Sequence, residues 1–117
     1  MAAKHAEPQR LALNDPQRRG ILIPASQLAD TDFSVGDRFK VKMGQKDLFA
    51  VLIVKDDQGD ILYDRTGIFI ERTRRVDMFL GGVFDTFTVE VRENDPPALR
   101  IRPLDINVKG IENIIDH

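Results

Sequence analysis

The chain has 117 residues, no cysteine and a net charge of −2, from 17 lysines and arginines against 19 aspartates and glutamates. That length makes one domain whose core needs no covalent staple, the lack of thiols excludes disulfides and thiolate metal sites, and the charge balance requires any nucleic-acid footprint to be local. No apolar run approaches the ~18–20 residues of a membrane-spanning helix, and the opening MAAKHAEPQR lacks the apolar centre of a signal peptide, so the expectation is a cytoplasmic protein without a membrane partner.

Residues 1–17 are polar, contain Pro8 and Pro16, and read as a flexible N-terminal arm with at most one helical turn around QRLAL. From Gly20 the texture changes. GILIP is a short apolar strand closed by Pro24, which cannot donate to a sheet ladder. ASQLADTDF suits a single helical turn or a compact loop. RFKVKM alternates strictly, with Phe39, Val41 and Met43 on one face and Arg38, Lys40 and Lys42 on the other, as in a half-buried strand. GQKD is a turn, LFAVLIVK a β-rich run, and DDQGD an acidic, glycine-containing turn that closes a hairpin. ILYD leads out of it. After a second strand–turn–strand passage, RENDPPA makes a turn and LRIRPL a last strand, with Leu99 and Ile101 opposite Arg100 and Arg102. The tail, 105–117, places Ile111, Ile114 and Ile115 at helical spacing, enough for a short helix.

The text is written twice. GIFIERTRRVDMFLGGVFDTFTVEV lies over GILIPASQLADTDFSVGDRFKVKM with an offset of 47 that becomes 48 after one inserted residue near Gly81 and Gly82. Gly20, Ile21, Ile23 and Asp30 match Gly67, Ile68, Ile70 and Asp77; Val35, Asp37, Phe39 and Val41 match Val83, Asp85, Phe87 and Val89. Self-similarity at such a period marks repeated supersecondary units. The repeats are expected at about 18–63 and 65–104, inside a single domain, 18–104. A unit of this size cannot bury an adequate core alone and leaves open strand edges. Pairing with its copy removes both faults, and closure into a barrel abolishes the edges. The expected fold is mainly β, a small barrel, with Phe39 and Val41 facing Phe87 and Val89 across a pseudo-two-fold axis.

ILIPASQLADTDFSVGDRFKV resembles the AbrB-like (SpoVT-type) swapped-hairpin domain, in which a strand ending in Ile-Pro leads through a short helix and a Gly-Asp entry into a hairpin. The second unit departs from that pattern, with Glu71 in place of Pro24 and Phe84 in place of Gly36. The resemblance implies a barrel of two interleaved, double-psi-like units. Two copies in one chain imply an intramolecular pseudo-dimer, acting as a monomer with internal symmetry or as a homodimer.

The resemblance also implies a duplex-DNA-binding transcriptional regulator, whose contacts are basic residues at the start of the first strand of each unit and just after it. Arg18, Arg19, Arg65, Arg72, Arg74 and Arg75 stand at those places. The arginine fork pairs bidentately with phosphate or guanine. The bland account of ERTRR is a solvated face with local ion pairs, Arg72 or Arg75 to Glu71 or Asp77. A catalytic reading finds no footing. The two histidines, His5 and His117, lie in the tails and support neither a triad nor a zinc site, and DDQGD lacks the ligand spacing of a calcium loop. No catalytic residue, metal or cofactor is expected. The alternative is a non-enzymatic protein-interaction or structural module, its partner held through the C-terminal tail as in AbrB-like antitoxins.

Overall fold

The computed structural model of the chain describes residues 9–42 and 49–104. They form strands β1 (Arg10–Asp15), β2 (Gly20–Pro24), β3 (Arg38–Val41), β4 (Val51–Lys55), β5 (Ile61–Asp64), β6 (Gly67–Glu71), β7 (Thr86–Arg92) and β8 (Ala98–Pro103). A 3-10 turn at Ala25–Gln27 follows β2, and helix α1 (Arg74–Leu80) follows β6. The strands close a barrel in the order β1-β2-β6-β5-β3-β4-β8-β7, every neighbouring pair antiparallel. The mainly β barrel expected from the alternation is the fold. Among the described residues no helix is long and apolar enough to cross a membrane.

The period of two fills the interior. Ile21, Ile23, Phe39, Ile53, Ile68, Ile70, Phe87, Leu99 and Ile101 are at most 2% exposed, each contributing roughly 1.5–3 kcal/mol by leaving water. Phe33 packs on Phe39 with ring centroids 5.4 Å apart, and Phe84 packs edge-on against Phe87 at 6.4 Å. The outward positions between them, Arg38 and Lys40 on β3 and Glu90 on β7, are exposed.

The pairing registers repeat. Phe39, Lys40 and Val41 pair with Lys55, Val54 and Ile53; Phe87, Thr88 and Val89 pair in the same sense with Pro103, Arg102 and Ile101. The β2–β6 ladder is centred on Leu22↔Phe69 and the β4–β8 ladder on Leu52↔Arg100, so one rotation about a line through both centres exchanges the halves. Loop bonds obey it as well. The Asn14 amide donates to the Asp85 carbonyl and the Tyr63 amide to the Asp37 carbonyl, each at 2.9 Å, which gives Asp37 and Asp85 the matching strand-entry positions their spacing predicts. Hairpins β1–β2 and β3–β4 never pair with one another. Each is flanked on both sides by a hairpin of the other half.

Two boundaries differ from the sequence reading. Arg10–Asp15, placed in the flexible arm with a helical turn at QRLAL, is strand β1. It pairs with β2 on one side and β7 on the other, and that two-sided ladder overrides the weak local pattern of a segment ending at Pro16. The units accordingly run from β1 to β4 and from β5 to β8, with ILYD opening the second half as RLALND opens the first. The two short segments after β2 and β6 also differ. In the second, Thr73 caps α1 by accepting from the Val76 amide (3.2 Å) and Gly81 closes it in the left-handed conformation (φ 84°). The first follows Pro24 without a side-chain cap and stops at three residues. The predicted helix in 105–117 and the arm 1–8 lie outside the described residues.

Candidate nucleic-acid interface

The six arginines are distributed about the β2–β6 ladder. At its Gly20↔Glu71 end, the Arg72 amide donates to the Arg19 carbonyl (2.9 Å), stitching the β1–β2 turn to the segment that opens α1. That bond sets Arg18 and Arg19 beside Arg72, while Arg75, in the first turn of α1, lines a cleft with Lys40 and Asp60. Arg65 stands at the Pro24↔Gly67 end, where the mate of this bond runs from the Ala25 amide to the Thr66 carbonyl (3.0 Å). The two ends are four residues apart, about 13 Å.

Their electrostatic states differ. Arg18 lies over the Phe69 ring at 4.4 Å and pairs with Asp15 at 2.9 Å. The Arg18 hydrogen bond holds the Asp15 carboxyl below its ordinary value. Arg72 pairs with Asp77 at 3.1 Å and donates to the Asn14 side-chain oxygen at 3.2 Å, the local ion pair that the bland account of ERTRR foresaw. Arg19, Arg65, Arg74 and Arg75 are exposed, and among the described residues no carboxylate pairs with them. Arg19 adopts φ 57°, a left-handed turn conformation. Asp64 spends its carboxylate inside its own turn, accepting from the Thr66 hydroxyl (2.7 Å) and amide (2.9 Å), and its carboxyl is held low chiefly by that hydroxyl.

The exchange of halves exposes an asymmetry. Arg18 and Arg65 are mates, but Arg72, Arg74 and Arg75 correspond to Ala25, Gln27 and Leu28, and the first half carries Asp30 and Asp32 nearby. Asp30 is occupied. Arg10, only 9% exposed, binds it through the two terminal guanidinium nitrogens, at 2.5 and 3.1 Å, and also donates to the Gln27 carbonyl at 3.0 Å. Asp30 and its mate Asp77 thus each hold an arginine, taken from β1 in one half and from Arg72, between β6 and α1, in the other.

Sequence reasoning missed Arg10, because an arginine in a polar stretch carries no burial signal until β1 is known to be a strand. It also missed a second group of cations. Arg38 and Lys40 project outward from β3, with Lys42 just beyond it, and Arg100 and Arg102 from β8, about the seam opposite the β2–β6 ladder; the alternation in RFKVKM and LRIRPL was visible, but not that β4 alone separates the two strands. His5 and His117 lie outside the described residues. No family model matches the chain, and neither does a curated protein or a solved structure.

Proposed function

We propose that the protein binds duplex DNA through the arginine-bearing pole of its barrel, as a transcriptional regulator of the AbrB-like kind. The observation behind this reading is the Arg19–Arg72 backbone bond, which brings the turn carrying Arg18 and Arg19 beside the segment that leads into α1, on which Arg74 and Arg75 stand. Arg19, Arg74 and Arg75 stand exposed there, available to phosphate oxygens or base edges. The outward Leu22 and Phe69 occupy the centre of the pole, and Arg18 covers Phe69. Binding measured by anisotropy at low ionic strength should fall at least tenfold for Arg74→Ala with Arg75→Ala. The slope of log affinity against log salt should flatten by roughly 1.8, two phosphate contacts at about 0.9 each. Intact protein without salt-sensitive binding would end this reading.

A different observation favours the non-enzymatic interaction module. Leu13, 50% exposed, pairs with Leu22, which pairs with Phe69; continuing the β5–β6 register brings Leu62, 38% exposed, into the same row. Four outward apolar side chains crossing four strands form a surface suited to a protein partner. Leu13→Ser with Leu62→Ser separates the two readings: it should abolish co-purification of a protein partner and leave DNA affinity within about twofold, a difference of ~0.4 kcal/mol.

A further inference from the structure

The seam opposite the β2–β6 ladder is the β4–β8 ladder, halfway round the closed barrel. Its outer face is built from alternate residues of β3, β4, β8 and β7. Along β3 run Arg38, Lys40 and, one residue beyond the strand, Lys42, whose amide donates to the Leu52 carbonyl at 2.8 Å. Alternate positions on a strand are about 6.7 Å apart, so the three cations form an evenly spaced line. Two strands away, β8 turns Arg100 and Arg102 to the same side, and Arg92 follows on β7.

The carboxylates on this face are few. Glu90 takes Arg100 at 3.3 Å and Arg92 at 3.7 Å, and Asp56 takes Lys40 at 2.9 Å. Six cations against three acids, Asp60 standing opposite Lys40, leave the face at +3, on a chain whose total is −2. Lys42 and Arg102 are exposed. Beside Arg100 and Arg102 the surface is concave, a groove of about 530 Å³ bounded by Thr88, Glu90 and the start of β1.

We propose that this outer face of β3, β4, β8 and β7 is a second binding surface, and that its ligand is the phosphate backbone of duplex nucleic acid. A regular line of cations suits a regularly spaced polyanion. The outward residues of these strands include no aromatic ring on which an unpaired base could stack, which favours a duplex over a single strand. The face offers backbone neutralisation without base readout, so its binding is independent of sequence. The surface stands on its own geometry. That one chain holds two duplexes, one on each side of the barrel, rests in addition on the DNA reading of the arginine pole.

The test is stoichiometry at low salt, with the chain verified as a monomer by light scattering and a random-sequence duplex too short to wrap the barrel. Two duplexes per chain are expected. Lys42→Ala with Arg102→Ala, both exposed and therefore compatible with folding, should reduce this to one, and Lys42→Arg with Arg102→Lys should restore two. One duplex per chain that survives Lys42→Ala with Arg102→Ala unchanged overturns the proposal. One duplex per chain lost in that variant, but not in Arg74→Ala with Arg75→Ala, upholds this surface and overturns the DNA reading of the arginine pole. Absence of any binding overturns both.

Discussion

Leu22 on β2 and Phe69 on β6 face one another at the centre of their ladder, and the rotation that exchanges them also exchanges Phe39 with Phe87. Equivalent positions in the backbone need not have equivalent surroundings, since Phe33 leans on Phe39 at a 53° tilt while Phe84 meets Phe87 edge-on. Both phenylalanines are nonetheless at most 1% exposed. Phe39→Ala and Phe87→Ala should each cost about 3–5 kcal/mol, matching one another within about 1 kcal/mol in urea unfolding. A large inequality would mean that one half supplies most of the core.

Glycines at positive φ differ in what surrounds them. Gly67 has φ 133°, and a Cβ there would lie 1.9 Å from the Ile23 carbonyl oxygen across the ladder; Gly36, at φ 105°, has open space around it. Gly36→Ala should therefore cost only backbone strain, about 1–2 kcal/mol. Gly67→Ala adds a collision with backbone that cannot move without breaking the β2–β6 pairing, and should cost more than about 3 kcal/mol. Thermal and denaturant unfolding of the two variants compare them directly.

The Arg10–Asp30 pair predicts an acid dependence. Hydrogen bonding from Arg10 lowers the Asp30 carboxyl from its ordinary 3.8. A lowered folded value means the unfolded chain binds the proton more readily. The contribution is whole above the ordinary value and is lost as pH falls through the folded one. Asp30→Asn should thus lower the urea midpoint at neutral pH, leaving the Arg10 charge without its partner, and should reduce the remaining loss of stability below about pH 4. Wild type and variant curves that run parallel across that range would refute the assignment.

Helix α1 is seven residues long and carries Arg74 and Arg75 in its first turn. Thr73→Ala removes the side-chain acceptor of the Val76 amide and should cost about 1 kcal/mol. Val76 and Leu80 anchor the inner side of the helix at 2% exposure or less, so the barrel should remain intact by circular dichroism. Under the DNA reading, affinity should fall several-fold without any arginine having been touched.

Much of the barrel was legible because its information is local. Period-two alternation in RFKVKM and TFTVEV placed the inward residues, and the repeated Gly-Ile-x-Ile placed β2 and β6 as mates. β1 was not legible, because RLALND is six residues of mixed texture whose strand character comes from β2 and β7 on either side. For the same reason the unit boundary was set late by one hairpin strand. The six arginines were found by resemblance, but their inequality was not. It depends on Asp15 reaching Arg18 and on Asp77 and Asn14 reaching Arg72, contacts between segments up to 58 residues apart. The cationic outer face needed the strand order β3-β4-β8, which no single stretch of sequence encodes.

The interleaving of hairpins has a consequence for connectivity. The chain leaves β4 and enters β5 on either side of β3; it leaves β8 and enters β1 on either side of β7. The first gap is crossed by the residues from Asp56 to Asp60, and the Leu104 amide, donating to the Thr86 carbonyl, stands where the Asp56 amide stands when it donates to the Arg38 carbonyl. The barrel is topologically a ring with two interchangeable openings. A permutant opened in the Asp57–Gln58 turn, with Leu104 linked to Gln9 by a few residues, would traverse the same eight strands and begin its count at Ile61.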